Sequence, residues 1–244
     1  MWARGSPELG IVLFDYDISG AGKVASRLTA GFSGALQADA HGAYNQLEKL
    51  LSLLGCMMHS RRKFHEAWIS ANKKPGLAES ALKMIRKLYK FEEAYKLQNL
   101  TSDQRYEARL NEVKPQMEKI KTWCQEKKSR VLPSSPLGIA INYYLNEYEN
   151  LTGFLANGRY EIDNGWIERT IRKFAIGRNN WLFCDSVEGA KASSLFYSLA
   201  ITAKLNGKNP YEILVTILKA LPLASTIDDF EALAKLLVIK HQLH

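Results

Sequence analysis

The feature that most restricts the fold of this chain is a change of pattern near His59. From there onward, segments 60–72, 78–98, 103–128 and 136–150 carry apolar residues only at helical spacing. Pro75-Gly76, Thr101-Ser102 and the stretch 132–136 separate them, and strand-like runs are missing. The preceding sequence reads differently. Residues 10–16 (GIVLFDY) form a β-branched and aromatic run after a Gly-Ser-Pro turn, which predicts a strand. Residues 21–30 suit a short helix, 33–39 (SGALQAD) a second strand, and 43–54 a helix ending at Gly55. An all-helical block thus sits inside an α/β chain, as a separate domain or as an insertion.

After Gly158 the alternation of elements resumes. Asp163 or Asn164 can cap a helix running to about Ala175, with Gly177 as its stop, followed by an extended segment over 180–184. Residues 188–205 read as a helix ended by Asn206-Gly207. Asn209 and Pro210 open another, to about Leu221, and a last helix spans 228–241.

Charge follows the same division. The 244 residues hold 33 Lys+Arg and 25 Asp+Glu, a net of +8. Between Cys56 and Val131 there are 18 basic and 9 acidic residues, so the whole excess lies in the helical block. Such a segment suits a polyanion such as nucleic acid; a solvated lysine-rich face accounts for the charge equally well. With 46% hydrophobic and 24% charged residues, disorder is excluded, and no apolar run is long enough for a membrane helix. The N-terminal MWARGSPELG has no signal-peptide core. Three scattered cysteines (Cys56, Cys124, Cys184) fit a reducing cytoplasm.

Three groups of residues could carry chemistry. Asp39 leaves a strand end into the loop AHGAY, where a fixed backbone can present carboxylate oxygens to a divalent cation; a turn-forming aspartate is the plainer alternative. In the segment 164–183, Asn164, Glu168 and Arg172 are four apart and share a helical face, with Arg169, Lys173 and Arg178 nearby. That is either a surface ion pair or a carboxylate at a phosphate-rich site. In CMMHSRRKF, Cys56 and His59 have the spacing of half a zinc site but no second pair follows, so zinc is rejected; Arg61, Arg62 and Lys63 read as phosphate contacts. There is no G-x-S-x-G, no G-x-G-x-x-G, and GAGK at 20–23 is too short for a P-loop.

Four motifs in order, QADAHGAYN, GCMMHSRRKF, EIDNGWIERTIRKFAIGRNNWLF and SLAITAKLNGKNPYEIL, resemble the transposases of the insertion sequence 66 family, from about Gly10 to Leu221. The resemblance implies an α/β, ribonuclease H-like core with an Asp-Asp-Glu triad holding two Mg²⁺ or Mn²⁺ ions. It implies that Asp39 is the second aspartate and Glu168 the glutamate. Arg172 and Arg178 match the arginines that follow in the family's pattern. Residues 1–55 and 158–195 would form the core, 56–157 a basic helical insertion, and 196–244 a helical C-terminal segment. The partners implied are transposon-end and target DNA, with a homo-oligomer or full-length transposase as protein partner and no membrane.

The chain also departs from the family. The first aspartate, in an Asp-Glu-Thr motif on the first strand, is not among these residues, which leaves the core N-terminally incomplete. Asp15 and Asp17 do not match that motif. The family's zinc-finger-like upstream segment is absent, Asn179 stands where lysine is usual, and Met57-Met58 replace Trp-Ala. The expectation is therefore a transposase fragment inactive by itself. A non-catalytic DNA-binding or transposase-assembly module, or a degraded reading frame, stand as alternatives.

Overall fold

The computed structural model describes residues 1–39, 42–47, 51–181 and 184–238; the side chains of residues 45, 46 and 178–181 lie outside that description. In chain order the elements begin with β1 (Trp2–Ser6), β2 (Ile11–Asp15), α1 (Gly22–Leu28), β3 (Ala35–Gln37), a 3-10 turn (Gly42–Leu47) and β4 (Ser52–Leu54). Then come α2 (Met57–Ser70), α3 (Leu77–Leu97), α4 (Ser102–Ala108), a π turn (Arg109–Val113), α5 (Lys114–Lys128), α6 (Pro136–Asn146) and α7 (Tyr148–Thr152). The chain closes with α8 (Gly165–Trp181), α9 (Val187–Leu205), α10 (Pro210–Ala220) and α11 (Ile227–Lys235). The architecture is mostly helical with few strands. These elements divide into two compact units, Met1–Gly20 with Gly165–His244, and Ala21–Asn164.

In the first unit β1 and β2 form an antiparallel hairpin, from Trp2 opposite Asp15 to Ser6 opposite Ile11. Gly10 turns the chain at φ +60°, a conformation that favours glycine. The sequence predicted β2 but not β1, whose WARGS composition carries little strand propensity; pairing with β2 supplies what propensity does not. The outer edge of β2 is closed by a helix rather than by a strand. Thr202 Oγ1 accepts from the Val12 N–H at 3.1 Å and donates to the Val12 carbonyl at 3.0 Å. Ser198 Oγ accepts from the Phe14 N–H at 2.8 Å, and Asn206 Nδ2 donates to the Gly10 carbonyl at 3.1 Å. Residues 198, 202 and 206 are one helical turn apart, so α9 presents a ladder of polar side chains to a strand edge that would otherwise be buried and unpaired. Val12 and Phe14 pack against Phe174 and Ile201 to form this unit's core.

The second unit holds the larger core. Met57, Phe64, Ile85, Leu88, Met117, Ile120, Ile141, Tyr144 and Phe154 are each fully buried where α2, α3, α5, α6 and the turn after α7 meet. A capping box starts α4, Thr101 accepting from Gln104 N and the Gln104 side chain accepting from Thr101 N. Within the continuous helix 102–128, the π turn directs Arg109 into the core. Its Nε and Nη2 hold the Glu92 carboxylate at 2.8 Å each. Nη1 donates to the Phe154 and Asn157 carbonyls, and Nη2 also donates to the Tyr160 carbonyl. Every donor of a fully buried guanidinium is thereby used.

Three expectations need correction. The helix expected over 43–54 is a 3-10 turn followed by β4, which runs parallel to β3 in register Ala35–Ser52 to Gln37–Leu54. The leucines there satisfy helical and strand spacing alike, and pairing decides: the Ala38 N–H donates to the Leu54 carbonyl and Gly55 N–H to the Asn150 carbonyl. Gly177 does not stop α8, which continues to Trp181. A Cβ at Gly177 would collide with the Tyr197 hydroxyl, so this glycine permits close approach instead of ending the helix. Asn180 and Trp181 are accordingly helical, not extended; Leu182 and Phe183 lie outside the described residues, as does the expected helix end beyond Val238. None of the described helices is long and apolar enough to cross a membrane.

Candidate functional site

Asp39 follows β3, half-buried, two residues beyond Gln37. Gln37 fixes that strand end: its Nε2 donates to the Gly55 carbonyl at 3.2 Å and to the Glu161 carbonyl at 2.8 Å. Met57 N–H donates to the Ile162 carbonyl at 3.2 Å. The end of β3, the end of β4 and the return of the helical block at 161–162 therefore meet in one unit. Burial, and then the charge of Asp39, raise the Tyr44 hydroxyl above its ordinary value. Among the described residues no cationic side chain pairs with Asp39. A half-buried carboxylate whose charge is felt by a neighbouring phenol suits a bound cation, because its oxygens are hard donors with capacity to spare.

The same unit fixes the two residues before α8. Tyr89 donates to Asp163 Oδ2 at 2.8 Å, with burial and then the Asp163 charge holding the phenol neutral far above its usual range. Cys56 Sγ donates to Asn164 Oδ1 at 2.9 Å and lies 3.5 Å from Asn164 N. Burial pushes the Cys56 thiol up to about 11, so it acts as a neutral donor. Arg61 and Arg62 are exposed on α2. Lys63 is half-buried with its ammonium 4.8 Å from the centre of the Tyr143 ring, a cation–π contact that holds it against α6.

In the other unit α8 presents two faces. Trp166, Thr170 and Phe174 face the hairpin. The Trp166 ring lies where a Cβ on Gly5 would be, and Phe174 stacks on Phe14 at 5.5 Å and meets Tyr197 edge-on at 4.7 Å. Glu168 is half-buried on the side of the helix away from this aromatic contact, and Arg169, Arg172 and Lys173 are exposed. Three cations thus follow the glutamate within five residues on the outer part of one helix. Arg178 belongs to α8, but its side chain lies outside the described residues. Asp15 is engaged by Arg4 at 3.2 Å, and Asp17 accepts from the Ser19 N–H at 2.9 Å.

Sequence reasoning missed Tyr89, Asp163 and Gln37 as the residues that tie these segments together. A tyrosine on the inner side of a helix reads as core, and only its partner 74 positions away reveals the hydrogen bond.

The chain is 29% identical over 238 residues to "Uncharacterized protein y4jD" and 32% identical over 240 residues to "Uncharacterized protein y4qI", both of Sinorhizobium fredii (strain NBRC 101917 / NGR234). Each alignment covers 93% of this chain but only 45% and 43% of the relative, so the chain spans less than half the length of these relatives. No solved structure matches it. The family described as Transposase IS66 family matches residues 1–192, and the chain belongs to that family.

Proposed function

We propose that this chain is part of the catalytic region of a DNA transposase, with a ribonuclease H-like core into which the basic helical segment 56–157 is inserted. Asp39 and Glu168 are two of its three metal-binding carboxylates, and Arg61, Arg62, Lys63, Arg169, Arg172, Lys173 and Arg178 contact DNA phosphates. The observation that carries the reading is the family match over residues 1–192, which includes both carboxylates. Asp39 and Glu168 would hold Mg²⁺ or Mn²⁺, which supplies Lewis acidity at a phosphodiester. In the longer protein, water attacks the phosphorus at the element end and a DNA 3′-hydroxyl leaves. That hydroxyl then attacks a target phosphodiester, releasing a target 3′-hydroxyl, so one ester bond forms for each that breaks. The protein's part is to orient the strands and to screen phosphate charge with its arginines.

Asp15 and Asp17 do not stand in the family's Asp-Glu-Thr motif, so we do not assign the third carboxylate of such a site to either of them. On this reading these 244 residues bind DNA in a salt-sensitive manner without cutting it. Incubation with Mn²⁺ and labelled element-end DNA tests this: retention without nicking is expected. Nicking abolished by Glu168→Gln would show that the chain is a complete enzyme, and no retention at low salt would defeat the DNA reading. A second reading, a non-catalytic DNA-binding or assembly module, is favoured by the location of the whole charge excess in 56–131. It needs the cations but not the carboxylates, so Asp39→Asn would leave its function intact.

A further inference from the structure

The positive charge of the helical block is not spread evenly over its surface. On α5 the exposed residues alternate in sign, Glu118 beside Lys119 and Glu126 near Lys128, and the half-buried Lys127 lies 3.8 Å from Glu126. Arg105 and Arg109 on the inner side, and the exposed Lys96, are taken up by Glu92 and Glu161. On the outward face of α3 four cations follow one another between Glu79 and the exposed Glu93. Lys83, Arg86, Lys87 and Lys90 are all exposed, at positions i, i+3, i+4 and i+7. At 100° per residue they fall within one sector about 100° wide, over a rise of about 10 Å. Lys83 is paired with Glu79 at 2.8 Å, and Lys87 sits 5.4 Å from the centre of the Phe91 ring. Arg86 and Lys90 have no ion pair among the described residues.

We infer that this face of α3 is a phosphate-binding stripe that lies along the backbone of duplex DNA. The inference rests on the DNA reading above and adds a surface to it, distinct from the cations on α2 and α8. Duplex DNA carries one charge per about 1.7 Å of axis, so a stripe of about 10 Å meets several phosphates at once. A lipid surface fits less well. A helix bound to a membrane inserts its apolar face, whereas Ala81, Leu82, Ile85 and Leu88 of α3 are already buried in the protein core. The contacts are to backbone phosphate, so they add affinity and register without base specificity.

The test measures binding of the whole chain to a labelled duplex of unrelated sequence by fluorescence anisotropy across a salt series. Each phosphate contact contributes about 0.9 to the slope of log K against log salt. A variant with Lys83, Arg86, Lys87 and Lys90 all changed to Gln is expected to lose about 2 to 3 in that slope and at least tenfold in affinity at low salt. A control with Lys114, Lys119, Lys127 and Lys128 changed to Gln loses the same formal charge and should change the slope by less than about 1. Circular dichroism confirms that both variants fold, as expected for substitutions at exposed or charged-tip positions. If the unaltered chain binds and the α3 variant matches it, or matches the α5 control, the stripe is overturned while the DNA reading stands. If the unaltered chain shows no salt-dependent binding, both fall together.

Discussion

The two units solve the same problem, burying a backbone and its side chains, with different means. In the unit of residues 21–164, many large side chains are fully buried, and a charged network of Glu92, Arg105, Arg109 and Glu161 is satisfied inside them. In the unit built on the β1–β2 hairpin, the buried apolar cluster among the described residues is Val12, Phe14, Phe174 and Ile201. Much of what holds it together is the Ser198–Thr202–Asn206 ladder on the strand edge. Here Leu195, Phe196, Tyr211, Leu223, Ile227 and Phe230 remain exposed. The difference teaches that the helical block carries its own stability, whereas the helices bearing Glu168 and the ladder depend on a few aromatic and hydroxyl contacts.

The largest effect should come from Arg109→Met. It leaves the buried Glu92 carboxylate with Arg105 as its remaining cation and strips the Phe154, Asn157 and Tyr160 carbonyls of their donor, and costs about 3–5 kcal/mol. Urea unfolding should show the loss in the transition of the helical block. An unchanged midpoint would mean that the network is not what closes that core.

Phe174→Ala removes the ring between Phe14 and Tyr197 and should cost about 3 kcal/mol. The comparison predicts that it lowers the transition of the hairpin unit and leaves amide-exchange protection in α3 and α5 unchanged. Equal loss of protection in both units would show that they unfold as one and would break the contrast.

A smaller change is expected for Ser198→Ala, which leaves the buried Phe14 N–H without its acceptor and costs about 1–3 kcal/mol. Ser198→Thr keeps the acceptor and should recover part of that loss. If Ser198→Ala is silent, the ladder is packing and not hydrogen bonding.

The smallest effect is a pH dependence in the helical block. Burial alone would raise the Glu161 carboxyl, but hydrogen bonds and charge from Arg105 and Lys96 hold it below its ordinary value. A carboxylate with a lowered folded pKa adds stability that is fully present above about pH 4.3, its unfolded value, and is lost as pH falls through the folded value. Acid titration of Glu161→Gln should therefore show a shallower loss below about pH 4.3 than the unaltered chain. Identical acid profiles would remove Glu161 from the account.

How much of this was legible in the sequence differs between the units for the same physical reason. The helices of 57–152 bury apolar stripes, so Ala81, Leu82, Ile85 and Leu88 announce α3 by their spacing. The buried stripe of α9 is Ala190, Ser194, Ser198 and Thr202, small and hydroxylated, and gives no apolar signal that it faces a strand. β1 and β4 are short and are fixed by partners instead of by their own residues, which is why spacing alone predicts no strand at 2–6 and a helix at 52–54. The motif residues Asp39 and Glu168 could be picked out because their order along the chain is distinctive. What anchors their surroundings, Gln37 to Glu161 and Tyr89 to Asp163, spans 124 and 74 positions and leaves no local trace.

The central claim is that Asp39 and Glu168 are carboxylates for a divalent cation. Manganese binding followed by electron paramagnetic resonance tests it most directly, since free Mn²⁺ gives a signal that is lost on coordination, whether or not DNA is cut. The account predicts that the chain sequesters Mn²⁺ and that Asp39→Asn and Glu168→Gln each weaken this at least tenfold, while the α3 charge variant binds as the unaltered chain does. Unchanged Mn²⁺ affinity in both carboxylate variants would contradict it.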